Sequence, residues 1–168
     1  VTMMKNLQLL LVQQNILIVT QIQVPEVGIT LRGNNNNNEV PTVATVYRSL
    51  DGGETWAPGG LEGLEGVHRI LLHPGDPEIA YVGGLGRTWQ AGGDRGVYKT
   101  TDGGTTWTRV LYVSDDTGIT DMVFDPHDAD VLYAAAYQRR RALGQLIGGG
   151  QEAGIFKSTD AGASWQKL

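Results

Sequence analysis

Short stretches of alternating apolar and polar residues recur along this chain and predict β-strands. The clearest copies read VYRS, VYKT and IFKS and occupy 46–49, 97–100 and 155–158. Neighbouring side chains of a strand point to opposite faces, so this alternation is typical of a strand with two different surroundings. Because the three copies are alike and widely spaced, they also indicate an internal repeat.

Each copy leads into an eight-residue motif of the form Ser/Thr-x-Asp-x-Gly-x-Ser/Thr-Trp. Its residue types suit a sharp hairpin: Asp can accept N–H groups of its own turn, Gly can adopt positive φ, and Trp can bury a large apolar surface. We assign a structural role to the shared positions of the three motifs: Ser49, Asp51, Gly53, Thr55, Trp56, Thr100, Asp102, Gly104, Thr106, Trp107, Ser158, Asp160, Gly162, Ser164 and Trp165.

A second repeated unit lies between the motifs. Residues 67–82 align with 119–134 at a constant offset, and both contain a Pro- and Asp-rich turn. The third repeat then consists of strand A at 119–124, strand B at 131–137, strand C at 154–158 and strand D from Trp165. Repeats of about fifty residues with four antiparallel strands are typical of β-propeller blades. The sequence therefore predicts an all-β fold of about three blades, which is a partial propeller.

The first 40 residues fit this repeat least well. Segments 7–13 and 16–23 are predicted as strands A and B of a degenerate first blade, and the Asn run at 34–38 as a loop. An incorrectly predicted reading frame is the alternative. We thus divide one incomplete propeller domain into 1–40, with degenerate strands and an Asn-rich loop, and 41–168, with the motif-bearing blades.

Composition and charge exclude several functions. The net charge of −5 argues against a nucleic-acid partner, which would normally contact a basic face. The apolar stretch 7–24 is interrupted by six Gln and Asn residues, so we predict no membrane span. The chain has no Cys, and its three His lack ligand-like spacing. We therefore predict no metal site and no cofactor.

The repeated motifs resemble those of the Asp-box (BNR) β-propellers, a superfamily of sialidases, xyloglucan-cleaving glycosidases and sortilin-type ligand-binding domains. Residues 96–104 (GVYKTTDGG), 115–119 (DDTGI) and 137–141 (YQRRR) are similar to stretches of bacterial propellers described as sortilin-like or glycosyl-hydrolase-like. This resemblance implies a structural Asp box, a secreted, periplasmic or cell-surface location, and a rigid scaffold that binds a protein segment or a carbohydrate.

Ligand binding is expected on the propeller face opposite the Asp boxes. The B–C and D–A loops share that face, and loops on a rigid scaffold often carry binding residues. Guanidinium groups suit capture of carboxylate or phosphate, and an exposed Trp suits stacking on a sugar or anchoring a peptide. The candidates are Arg87, Trp89, Arg95, Arg139, Arg140 and Arg141. Alternatively, these arginines pair with Asp115, Asp116 or Glu152 and join adjacent blades.

Carboxylates that could serve in catalysis occur at several positions. Glycosidases use two carboxyl groups that flank the scissile bond. The chain offers several acidic loop residues, but no spacing selects a pair among Glu62, Glu65, Asp94, Asp115, Asp116 and Asp121. The alternative function is part of a sialidase- or xyloglucanase-like glycoside hydrolase whose active site is completed by other blades; a third is a structural spacer. Since three blades leave a ring open, further blades or a second copy are expected to close it.

Overall fold

The protein is built from β-strands. The computed structural model describes residues 7–13, 16–21, 43–49, 54–55, 57–61 and 64–168, and these ranges contain strands and turns but no helix. The strands are β1 (Leu7–Gln13), β2 (Ile16–Gln21), β3 (Val43–Arg48), β4 (Ala57–Pro58), β5 (Leu64–Glu65), β6 (Val67–Leu72), β7 (Ala80–Gly84), β8 (Gly96–Thr100), β9 (Thr108–Leu111), β10 (Thr117–Phe124), β11 (Leu132–Ala142), β12 (Gln145–Gly148), β13 (Gly154–Ser158) and β14 (Gln166–Lys167).

The strands form three antiparallel sheets that follow one another along the chain. Blade 1 has the order β1-β2-β3-β4, with β5 also paired to β3. Blade 2 has the order β6-β7-β8-β9. Blade 3 has the order β10-β11-β13-β14, with β12 paired to β11. The prediction of an all-β fold with about three four-stranded antiparallel blades is confirmed.

Predicted strand boundaries of the third repeat differ from the structure. Strand A was expected at 119–124, whereas β10 begins at Thr117. Strand B of the third repeat was expected at 131–137, whereas β11 continues to Ala142 because 139–142 pairs with β12. Gly144 has φ 79° and allows a tight two-residue connection between the two strands. The segment expected to be a long loop therefore begins as a hairpin that extends blade 3.

Some predictions fall outside the described residues. The Asn run at 34–38, most of the first Asp box (Asp51, Gly53 and Trp56) and Glu62 belong to this group. Within the described ranges, β1 and β2 belong to the same sheet as β3. The division of the chain at residue 40 stays a prediction.

Two apolar cores lie between the blades. Blades 1 and 2 bury one cluster between them: Val46, Leu64, Ala80 and Val82. Blades 2 and 3 bury a larger one: Leu71, Tyr81, Val97, Leu111, Ile119, Met122, Leu132, Ala134 and Ala136. Strands with apolar residues on both faces are expected in blades that are covered by a neighbour on each side. Stacking of sheets, and not a single central core, thus holds this part of the chain together.

The Asp-box turns form a network of hydrogen bonds around one carboxylate. The Thr100 hydroxyl donates to Asp102 Oδ1 (2.7 Å), and the Thr106 amide and hydroxyl donate to Asp102 (2.8 and 2.6 Å). The third copy repeats these bonds around Asp160 at 2.7, 2.8 and 2.6 Å. The bonds hold the pKa of both Asp carboxyls at about 2. Both carboxylates therefore accept hydrogen bonds from donors of their own turns.

The turns that connect neighbouring strands lie on two opposite faces of the row of blades. The Gly103 amide donates to Glu78 O (2.9 Å), and the Ala161 amide donates to Asp130 O (2.8 Å). These bonds join the second and third Asp-box turns to the A–B turns of their blades, and we call this side the box face. The B–C and D–A connections lie at the other ends of the strands. This arrangement separates the Asp boxes from the candidate ligand residues.

Candidate ligand-binding face

Three connections meet at the end of the blades away from the box face. The Gly92 amide donates to Asp115 O (2.7 Å), and the Arg141 amide donates to Thr88 O (2.8 Å). The Arg139 amide donates to Asp116 O (2.7 Å). We call residues 85–95, 112–118 and 138–152 the long-loop face. Backbone hydrogen bonds thus bring the sequence-predicted candidates of two blades to one surface.

Arg95 is buried beneath this face and does not present its guanidinium group to solvent. Its Nη1 donates to Leu85 O (2.6 Å), its Nε donates to Gly92 O (3.1 Å), and its Nη2 donates to Arg87 O. Nη2 also lies 3.3 Å from Arg139 O in blade 3. The Arg95 guanidinium therefore ties the loop of blade 2 together and fastens it to blade 3.

Arg140 and the acidic residues of the face are bonded to one another or to hydroxyl groups. Arg140 Nη1 lies 3.3 Å from Asp116 Oδ1, and both side chains are partly buried. The Tyr112 hydroxyl donates to Asp115. The Thr117 hydroxyl donates to Glu152 (2.7 Å). The expected pairing of an arginine with Asp116 is therefore present, and Arg95 links the blades through backbone carbonyls.

The exposed part of the face is aromatic, aliphatic and cationic. Trp89 is 51% exposed, and Arg87 next to it donates to Gln90 Oε1 (3.0 Å). Arg141 is exposed on the β11–β12 hairpin. At the tip of that hairpin Leu143 is 106% exposed and Leu146 is 72% exposed. Large exposed apolar side chains that lie together on a protein surface often mark a binding site.

The two leucines were not among the sequence-predicted residues. The signal that could have found them is the sequence RRRALGQLIG at 139–148, in which Gly144 sits between two runs of similar length. A Gly in a short connection between two such runs indicates a hairpin. Three arginines are then followed by aliphatic residues around the turn.

Two ionisable groups near the face have lowered pKa values. Hydrogen bonds from Ser114 and Thr117 lower the pKa of the Glu152 carboxyl. Burial and the nearby Arg139 charge lower the pKa of His68. Asp121 pairs with Arg69 (3.2 Å) between the innermost strands of blades 2 and 3. Across the described part of the chain, no three His, Asp or Glu side chains are placed to hold a metal ion.

Comparison with known families identifies the fold's relatives. The family model Sortilin-Vps10, described as sortilin, neurotensin receptor 3, matches residues 44–168. The chain belongs to the Sortilin-Vps10 family. The resemblance to sortilin-like Asp-box propellers is thereby confirmed, and the match includes all three Asp-box motifs.

Individual relatives of this Sortilin-Vps10 chain come from the glycosyl-hydrolase-like group. Two sequences of xyloglucanase Xgh74A from Acetivibrio thermocellus are each 24% identical over 161 residues, which covers 79% of this chain and 17% of the xyloglucanase. The crystal structure of an ancestral GH74 enzyme aligns with a TM-score of 0.53 and 23% identity. It covers 75% of this chain and 16% of that enzyme. These likenesses show the propeller fold.

The described residues contain no helix long and apolar enough to cross a membrane.

Proposed function

We propose that this Sortilin-Vps10 chain is a binding scaffold whose long-loop face holds a protein segment with apolar and acidic side chains. The observation that supports this proposal is the β11–β12 hairpin. It exposes Leu143 and Leu146 at its tip and carries Arg141 on its stem. Aliphatic anchors beside an arginine, as Leu146 is beside Arg141, suit a partner that combines leucine-like side chains with carboxylates. As the family resemblance implies, we propose that the chain acts in secreted, periplasmic or cell-surface form.

The rigidity of the face favours binding by a preformed surface. Arg95 fixes the loop that carries Trp89, and the backbone bond between Arg141 and Thr88 fixes the hairpin base against that loop. Side chains held on a rigid framework lose less conformational entropy when a ligand binds. The hairpin and Trp89 would therefore act as one surface.

The test is surface plasmon resonance with the immobilised chain and peptides of about ten residues that combine Leu or Phe with Asp or Glu. We expect binding that weakens as salt is raised, because exposed charge pairs are screened. Leu143→Asp should weaken binding about thirtyfold, the usual size for loss of an anchor residue. Leu168→Asp is the matched control, since Leu168 is also exposed but lies outside the long-loop face. Equal binding by both variants would contradict the proposal.

A glycan ligand and glycoside hydrolysis are the second candidate, favoured by the xyloglucanase relatives and by exposed Trp89. A glycosidase general acid needs a raised pKa, whereas the pKa of the Glu152 carboxyl is lowered. We prefer the scaffold because the exposed leucines of the β11–β12 hairpin suit a protein segment. Reducing-sugar release from xyloglucan by the full chain, abolished by Asp115→Asn or Asp116→Asn, would establish the hydrolase. Glycan binding without hydrolysis, lost in Trp89→Ala, would establish a carbohydrate-binding scaffold.

A further inference from the structure

Strands at the edge of a sheet expose unpaired backbone groups and can pair with another chain. Native proteins protect such edges with a charged residue, a proline or a β-bulge. In the described part of the chain, the edge strands of the three blades are protected in this way. The protecting features are bulges in β1, β6 and β10, Pro58 in β4, Glu65 in β5, Arg109 in β9 and Lys167 in β14. These edges are therefore poor sites for a further strand.

Strand β12, on the long-loop face, lacks all three protections. Its sequence, QLIG, contains no charged residue and no proline. It pairs with 139–142 of β11 in an unbroken register, so it has no bulge. Among the described residues, no strand pairs with its other edge. The β11–β12 hairpin therefore carries an unprotected sheet edge beside the exposed side chains already described.

The hydrogen bonds of the hairpin show which backbone groups of β12 face outward. The amides of Arg139 and Arg141 donate away from β12, to carbonyls of the neighbouring connections (2.7 and 2.8 Å). In an antiparallel sheet, residue pairs that exchange both backbone hydrogen bonds alternate with pairs that point these groups outward. Both arginines belong to the outward-pointing kind. Their partners in β12 are Gly148 and Leu146, so these two residues direct their N–H and C=O groups to the open edge.

The two edges of the hairpin differ in what they contact. The outward amides of β11 are satisfied by the protein's own connections, whereas the amides of Leu146 and Gly148 have no acceptor in the described part of the chain. Leu146 lies directly opposite Arg141, and the side chains of such a pair lie close together on one face of the hairpin. A strand added to β12 would place one of its own side chains next in this row.

We propose that an extended segment of a partner protein adds to the open edge of β12 as a further strand. This inference rests on the proposed function, in which the long-loop face holds a protein segment, and it adds the manner of binding. Backbone hydrogen bonds to Leu146 and Gly148 supply affinity whatever the sequence of the segment. The row of Arg141 and Leu146 selects an apolar residue beside Leu146 and a carboxylate two residues away, because alternate side chains of a strand share a face.

Amide hydrogen exchange, measured by NMR on the full chain, tests this geometry directly. The ligand is the peptide that binds most tightly in the surface plasmon resonance series. With this peptide at ten times its Kd, we expect exchange at the amides of Leu146 and Gly148 to slow about tenfold, because exchange then requires dissociation. The amide of Ile147 faces β11 and is the internal reference. Unchanged exchange at Leu146 and Gly148 with the peptide bound would overturn the proposal.

A proline at the edge provides a second test. Gly148→Pro removes an outward N–H that the pairing with β11 does not use, and proline is tolerated in an edge strand at such a position. We expect peptide affinity to fall about tenfold, the effect of one lost hydrogen bond and a blocked edge. Gly148→Ala is the matched control: it keeps the N–H, its Cβ would lie 3.4 Å from the Tyr137 hydroxyl oxygen, and affinity should change by about twofold at most.

Methylation of the peptide's own amides repeats the test with the protein unaltered. Peptides that carry a single N-methyl group at successive positions should lose affinity at every second residue, because only alternate amides of an added strand bond to β12. Equal affinity of all the methylated peptides would overturn strand addition.

The outcomes separate this inference from the proposed function. Peptides that lose affinity with Leu143→Asp but are unaffected by Gly148→Pro and by methylation would overturn strand addition and leave the binding scaffold in place. Failure of every peptide to bind would overturn both. Dimers of the chain that Gly148→Pro dissociates, without peptide binding, would place a second copy at the edge and would also overturn the proposal.

Discussion

Replacement of Arg95 by Met tests whether this residue fastens the two blades. Met keeps much of the apolar stem of Arg but removes every donor. The carbonyl oxygens of Leu85, Arg87 and Gly92 accept the three shortest hydrogen bonds of the Arg95 side chain and would lose this donor beneath the long-loop face. Each buried acceptor left without a partner costs about 1–3 kcal/mol, and water would reach some of them. We expect the free energy of unfolding to fall by about 3–5 kcal/mol.

Urea unfolding of the full chain measures this change. Domains of this size are stable by about 5–15 kcal/mol, and m is about 1–3 kcal/mol/M, so the urea midpoint should fall by about 2 M. Hydrogen exchange should accelerate at the amides of Gly92 and Arg141, which bond across the junction. Arg87→Met is the matched control, because the exposed Arg87 side chain should contribute less than about 0.5 kcal/mol. A loss below about 1 kcal/mol for Arg95→Met, with unchanged exchange, would refute the fastening role.

Three further changes probe the stacking and the turns. Gly118→Ala should destabilise the chain by about 2–3 kcal/mol, because the added Cβ would lie 2.1 Å from Leu85 O. Gly75→Ala is the control: its Cβ would meet only ordinary contacts, so it should be nearly neutral in the same urea titration. Asp102→Asn should lower the thermal midpoint at neutral pH. The difference from the original chain should close between about pH 4 and pH 2. The pKa of Asp102 in the folded chain is about 2, below the ordinary 3.8, so the stabilisation by its carboxylate is lost as it protonates. Ala161→Gly should raise stability by about 0.5–1 kcal/mol in chemical denaturation, because Ala161 has φ 53°.

The repeat pattern was sufficient to predict the blades. Strand C of the third repeat was expected at 154–158 and β13 has those bounds. The reason is local: alternation predicts the strand, and the Asp-box turn that follows fixes its end by bonds within a few residues. Features that arise within one hairpin are visible in the sequence.

The candidate site was less predictable because its geometry depends on contacts between blades. Arg95 and Arg141 have the same residue type and were both expected in B–C loops, yet one is buried and the other is exposed. What separates them is the set of carbonyls around Arg95, which come from its own loop and from blade 3. A set of backbone carbonyl acceptors of this kind cannot be predicted from the residue types. The ligand roles proposed for Arg87, Trp89, Arg139, Arg140 and Arg141 stay predictions.

Neighbouring blades are joined by a hydrogen bond from a basic side chain of one blade to an Asp-box carbonyl of the next, and this bond has an evolutionary consequence. The acceptor is a backbone carbonyl, at Gly103 in one blade and at Ala161 in the next. A carbonyl is present whatever the side chain, but a Cβ at Gly103 would lie 1.6 Å from Arg48 Nη1, so the joint between blades 1 and 2 requires glycine at this position. Repeat proteins whose units contact only their neighbours have stabilities that are close to sums over units and joints. A blade inserted by gene duplication would bring this acceptor with it, whereas its apolar side chains would still have to match those of both neighbours.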